Sequence, residues 1–120
     1  MGRCKVLRAL KRRRVEAEWG ALTWSASAEL SNASELTVGQ CLLHPDCHNP
    51  LHSHPNCEEV LVVMQGVISH TIMDGKSVTL REGDVISIPK GVRHQARNIG
   101  EGDAVMYIAF SSANRETCHE

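Results

Sequence analysis

Apolar and polar residues alternate along much of this chain in short runs, with the period of two that a half-buried strand imposes. LTVGQCLLH, residues 36–44, reads as one such strand, and PDCHNP after it as a loop bracketed by prolines. Residues 51–54 and 58–65 read as extended on either side of Pro55-Asn56-Cys57, and Gly66 turns the chain. VISHTIM and KSVTL then flank Asp74-Gly75, the strongest short hairpin signal. VISIP, VRHQARN and AVMYIAF follow, separated by REGD, KG and IGEGD. Turns recur about every 8 to 12 residues, the rhythm of an all-β sandwich or barrel. No long helix, internal repeat or low-complexity stretch interrupts it.

Composition narrows the picture. The 120 residues, 42% of them hydrophobic, make one globular domain with one core. The 3% of aromatic residues argues against a single-strand nucleic-acid binder, which needs stacking platforms. The net charge of -1 hides an asymmetry: residues 3–14 carry seven of the thirteen basic residues and no acidic ones. The chain therefore divides into a basic arm, residues 1–14, and a single domain, residues 15–120, with a net charge near -8. Such an arm can meet nucleic acid or anionic lipid, but it reads first as a solvated tail or as an edge strand guarded by Lys and Arg. No signal-peptide pattern and no run long enough to span a membrane are visible. The five cysteines, odd in number and irregular in spacing, read as free thiols, so a reducing cytoplasm is the expected location.

The chemistry concentrates in LHSHPNCEEVLVVMQG, residues 51–66. His52 and His54 stand at i and i+2, which on a strand puts both imidazoles on one face. Inside a barrel they would converge, and converging imidazoles suit a transition metal. A lone His-x-His is weak evidence. The second half of the chain strengthens it: in GDVISIPKGVRHQARN, residues 83–98, Gly83, Pro89, Gly91, His94 and Asn98 fall at fixed intervals. These five positions resemble the second sequence motif of the cupin superfamily, and His52, His54, Glu59 and Gly66 resemble its first. The family spacing selects Glu59 over Glu58, because Glu59 lies six residues before Gly66 and that is the motif's interval. One departure stands out: Asp46 occupies a position where the family pattern has glycine.

The resemblance implies a double-stranded β-helix, a jelly-roll cupin barrel, holding one divalent transition metal (Fe, Mn, Zn, Ni, Co or Cu) on His52, His54, Glu59 and His94. It also implies a small-molecule ligand or substrate and a homodimer, with an N-terminal strand in VEAEWGALTW lent to the neighbour and Trp19 and Trp24 packing there. The residues themselves leave His70 open between the pocket and the outer surface, because strand parity cannot be carried through Gly66. His70 and Tyr107 are the candidate acid–base groups, and Asn98 is a candidate support for His94. A rival zinc site drawn from Cys41, His44, Cys47, His48, His52, His54 and Cys57 ignores His94. For function, the expectation is an iron-dependent dioxygenase-type enzyme. The alternatives are a non-redox isomerase, lyase or cyclase using Mn, Zn or Ni, and a non-catalytic cupin that binds or senses a small ligand. Neither nucleic acid nor a membrane is an expected partner.

Overall fold

The computed structural model describes residues 2–119. A single 3-10 turn, Ala9–Lys11, is the only helical element among them; the rest is strand and turn. In chain order the strands are β1 (Arg13–Ala17), β2 (Gly20–Ala26), β3 (Thr37–Leu43), β4 (His52–Ser53), β5 (Glu59–Gln65), β6 (Ile68–Met73), β7 (Lys76–Leu80), β8 (Val85–Ile88), β9 (Ala96–Asn98), β10 (Ala104–Phe110) and β11 (Cys118–His119). A six-stranded sheet runs β1-β2-β3-β10-β5-β8, a three-stranded sheet runs β7-β6-β9, and β11 pairs with β4. All pairings are antiparallel.

The alternation read from the sequence becomes the inner wall. On β3, Thr37, Gly39, Cys41 and Leu43 are buried, and on β10 Ala104, Met106, Ile108 and Phe110. Glu59, Leu61 and Val63 continue that wall on β5. Ile68, Leu80 and Ala96 close the same core from the smaller sheet. The predicted strands over 36–44, 58–65, 67–73, 76–80, 85–89 and 104–110 all form, within a residue or two. VRHQARN is shorter than expected: only β9 is continuous, and His94 joins by an isolated bridge to His52.

The N-terminal region departs from expectation. VEAEWGALTW folds back on its own chain as the β1–β2 hairpin, closed around Gly20, rather than extending as a free strand. Arg13 and Arg14 fall inside β1, so the basic segment ends as a strand at the sheet edge. Charged side chains on an edge hinder pairing with another chain. Trp19 and Trp24 pack, partly buried, against the core of their own barrel. A Cβ on Gly39 would lie 2.4 Å from the Trp24 ring, so β3 needs glycine there for the indole to lie across it.

The motif glycines have a plain conformational role. Gly83 (φ 91°) and Gly91 (φ 75°) each hold the third position of a four-residue turn, closed by Asp84 N–H to the Arg81 carbonyl (2.9 Å) and Val92 N–H to the Pro89 carbonyl (3.3 Å). Turns that need a positive φ at that position favour glycine. Asp46 does the same work where the family pattern has glycine: its φ is 64°. It follows Pro45 in a turn closed by Cys47 N–H to the His44 carbonyl (3.1 Å). Aspartate tolerates this region better than most residues, so the departure keeps the loop shape. Replacing Asp46 with Ala should cost about 1 kcal/mol and replacing it with Gly close to nothing, as read by urea unfolding midpoints. Equal losses in both variants would show that the side chain, not the backbone, matters.

Candidate metal centre

Three separate parts of the chain bring four side chains to one point. β4 and the residue after it carry His52 and His54, β5 opens with Glu59, and the turn before β9 carries His94. The ligand atoms of the four all lie within 4.8 Å of one another. His54, Glu59 and His94 are 2% to 5% exposed, and His52 is half-buried at the rim. Glu58 faces solvent, as the choice between the two glutamates requires.

The orientation of the rings decides their chemistry. The Nδ1–H of His52 donates to the Pro50 carbonyl (2.7 Å), that of His54 to the Glu116 carbonyl (2.9 Å), and that of His94 to the Val92 carbonyl (2.9 Å). With Nδ1 protonated, each neutral ring turns an Nε2 lone pair inward, as a metal-binding imidazole does. The partners are main-chain carbonyls, so the orientation is built into the backbone.

Lone pair then faces lone pair. Glu59 Oε1 lies 3.3 Å from His54 Nε2 and 3.1 Å from His94 Nε2. His54 Nε2 is a buried nitrogen without a hydrogen-bond partner. A cation between these atoms removes the conflict. Two ligands about 2.1 Å from one ion and at right angles stand about 3 Å apart, so the observed spacings are those of neighbouring ligands. The donor set fits a divalent metal.

The metal-free electrostatics agree. Burial alone would raise the Glu59 carboxyl, but the His54 and His94 nitrogens beside it hold it down at about 2. Burial would lower His94, yet its bond to Glu59 prevails and raises it. His52 is pushed down to about 4 by burial, with His94 adding to the effect.

The quartet opens into a cavity of about 320 Å³, within the range of small-molecule sites. A domain profile, the cupin domain, matches residues 39–110, which span both ligand clusters. The chain belongs to the cupin family. Germin-like protein subfamily 3 member 3 from Arabidopsis thaliana is 39% identical over 69 residues, 54% of this chain and 33% of that protein. An oxalate decarboxylase variant from Bacillus subtilis superposes with a TM-score of 0.84 at 22% identity, over 93% of this chain and 31% of the other. An oxalate oxidase in complex with glycolate superposes with a TM-score of 0.73 at 28% identity, over 82% of this chain and 53% of the other. The chain thus spans about a third of the curated relative and a third to a half of these solved chains.

The cupin barrel also places the remaining candidates. His70 is inside: it is 1% exposed, lines the cavity and stacks on His94 with ring centroids 5.7 Å apart. Its Nδ1–H donates to the Thr71 carbonyl (2.8 Å), and burial lowers its pKa, so Nε2 is free to accept a proton. Tyr107 is a correction. It lies at an outward position of β10, 47% exposed and away from the cavity, because inward and outward positions alternate between Met106 and Ile108. Asn98 is another correction. Its amide donates to the Leu43 and Gly102 carbonyls (2.9 and 2.8 Å) and its Oδ1 accepts from Gly100 N–H (2.9 Å), so it fastens a turn rather than supporting His94.

The rival cysteine set does not assemble among the described residues, where only the His52, His54, Glu59, His94 group gathers. Cys41 and Cys57 are buried free thiols, and burial pushes Cys41 up to about 12. Three cavity residues had no signal in the sequence: Arg115, Thr117 and His119. They arrive only because β11 pairs with β4, setting His119 opposite His52.

Proposed function

We propose that this cupin is a metal-dependent enzyme acting on a small organic molecule, with iron and dioxygen as the first reading. The observation that carries it is the buried quartet of three inward Nε2 atoms and one carboxylate at the end of a cavity of small-molecule size. Imidazoles alone suit zinc and copper; the carboxylate moves the preference toward iron or manganese. Four protein ligands leave positions on an octahedral ion for the substrate. When bound, such an ion supplies Lewis-acid or redox chemistry at those positions. The chain holds the ligands in their tautomers through Pro50, Val92 and Glu116. It lines the approach with Leu61, Met106 and Ile108, which keep bulk water away, and it offers His70 Nε2 as a proton acceptor.

A second reading rests on His70. A neutral buried imidazole beside the quartet suits proton transfer to or from a substrate, as a non-redox lyase, isomerase or cyclase needs. The names of the solved neighbours, an oxalate decarboxylase and an oxalate oxidase, span both reaction types. Elemental analysis of untagged protein separates the two readings. Iron together with substrate-dependent oxygen uptake supports the first. Manganese, zinc or nickel, with turnover that consumes no oxygen and falls at least tenfold in His70→Gln, supports the second. Metal bound without any turnover would leave a ligand-binding or sensor cupin.

The homodimer belongs to the same proposal, on a different surface from the one first expected. The outward face of β5, β8 and β10 exposes Val60, Met64, Val85 and Tyr107 side by side. A second copy laid against this face would cover them. Tyr107→Glu should turn a sedimenting dimer into a monomer while leaving the metal content unchanged.

A further inference from the structure

The C-terminal segment after β10 crosses the mouth of the cavity and is tied to the metal centre at two points. His54 donates to the Glu116 carbonyl, and β11 pairs with β4. Just before the first of these ties Arg115 turns inward. Its guanidinium carbon lies 4.3 Å from the Trp24 ring centroid and 5.2 Å from that of Phe110. The guanidinium carries five N–H donors. One of them, at Nη1, reaches the Thr117 hydroxyl at 2.7 Å, and no ion pair found among the described residues involves Arg115. Stacking holds the plane of the group and leaves donors along its edge.

The charge around this group is unbalanced. Glu59 is the single acidic residue lining the cavity, and it is committed to His54 and His94. A divalent ion on the quartet together with Arg115 outweighs that one carboxylate. The rest of the wall beside Arg115 is apolar: Trp19, Leu22, Trp24, Ile108 and Phe110. A site with a positive centre, a forked donor and an aromatic wall recognises an anion attached to an apolar body.

We propose that Arg115 selects the substrate: the cavity takes a small apolar molecule bearing one carboxylate, which Arg115 holds at the mouth while Trp19, Leu22 and Ile108 pack its body. This deepens the functional reading above and rests on it for the second positive charge. Oxalate, which has no apolar body, makes no use of the aromatic wall. Arg115 is thus a specificity-determining residue supplied by a segment that lies outside both sequence motifs.

The test uses the metal-loaded full chain and the fluorescence of Trp19 and Trp24, the two tryptophans of the chain. Benzoate and its uncharged isostere benzamide are titrated in parallel, with oxalate as a third probe. Wild-type protein should bind benzoate at least about tenfold more tightly than benzamide, and more tightly than oxalate. Arg115→Gln should erase the preference for benzoate over benzamide, and Arg115→Lys should restore part of it as a point charge. Lost packing on Trp24 would weaken acid and amide alike, so the ratio of the two affinities isolates the charge. A preference that survives in Arg115→Gln, or wild-type protein that binds neither compound at millimolar concentration, overturns the proposal. Metal content measured on the same samples keeps the two readings apart. An Arg115-dependent preference in protein that takes up no metal would sink the metal reading and leave this one. Full metal with a ratio indifferent to Arg115 would do the reverse.

Discussion

His94→Ala protein should lose metal almost completely, with affinity falling by more than the roughly 10- to 100-fold typical of losing a residue that merely orients a ligand. The residue contributes the Nε2 that faces Glu59 at 3.1 Å from forty residues beyond the first histidine pair. Removing it takes away one of four donors and leaves Glu59 with His54 alone. The backbone bridge between residues 52 and 94 does not depend on the side chain: His52 N–H and the His94 carbonyl stand 3.1 Å apart, and His94 N–H and the His52 carbonyl 2.8 Å. The variant should therefore keep its β-type circular dichroism while elemental analysis finds the metal gone. Metal retained at the wild-type level in a folded His94→Ala protein would show that the quartet is not the binding site. Glu59→Gln tests the same centre from its charged side: it keeps the shape, removes the negative charge and should also release the ion.

Acid should release the metal well above the pH at which the barrel's carboxylates protonate. The bond to Glu59 raises the pKa of His94 above its ordinary value, so a proton competes with an incoming ion from a higher pH than on a free imidazole. Below that raised pKa the proton on His94 makes metal affinity fall by up to about tenfold per pH unit. His52, held down at about 4, and Glu59, at about 2, remain unprotonated ligands until much lower pH and do not begin this loss. Metal-free stability runs the other way for His94. A raised pKa stabilises the folded chain below 6.5, and that contribution disappears as pH rises through the raised value. The lowered values of His52 and Glu59 stabilise the fold above their ordinary values, and those contributions are lost as pH falls toward about 4 and about 2. Competition titrations with a metallochromic chelator between pH 5 and 8 would read the first effect directly. A flat profile would mean that no ligand proton is displaced, contrary to the placement of His94.

How much was legible follows from the range over which each signal acts. Strands β3, β5, β6, β7, β8 and β10 were readable because burial on one face writes itself as alternation within a few residues. His52, His54, Glu59 and His94 were readable through the spacing of two motifs whose glycines the turns require. The side of the barrel that His70 faces was not readable, since a turn with positive φ at Gly66 lies between it and the last residue of known parity. Tyr107 was misplaced for a simpler reason: a tyrosine on a core strand is outward or inward by register alone, and β10 pairs with β3 and β5 so that Met106 and Ile108 take the inner wall.

By itself, the sequence determined the all-β architecture, the turn positions and the four side chains that gather as the candidate metal site, because these rest on local periodicity, on conformations that few residues adopt, and on motif spacing. Only the tertiary structure decided what surrounds that quartet. The fold of VEAEWGALTW onto its own barrel, the burial of His70 and the arrival of Arg115 and His119 at the cavity each depend on pairing between segments far apart in the chain. β4 and β11, for instance, are two residues each. Strands so short carry no period of their own, and their partners are chosen by the closure of the whole barrel.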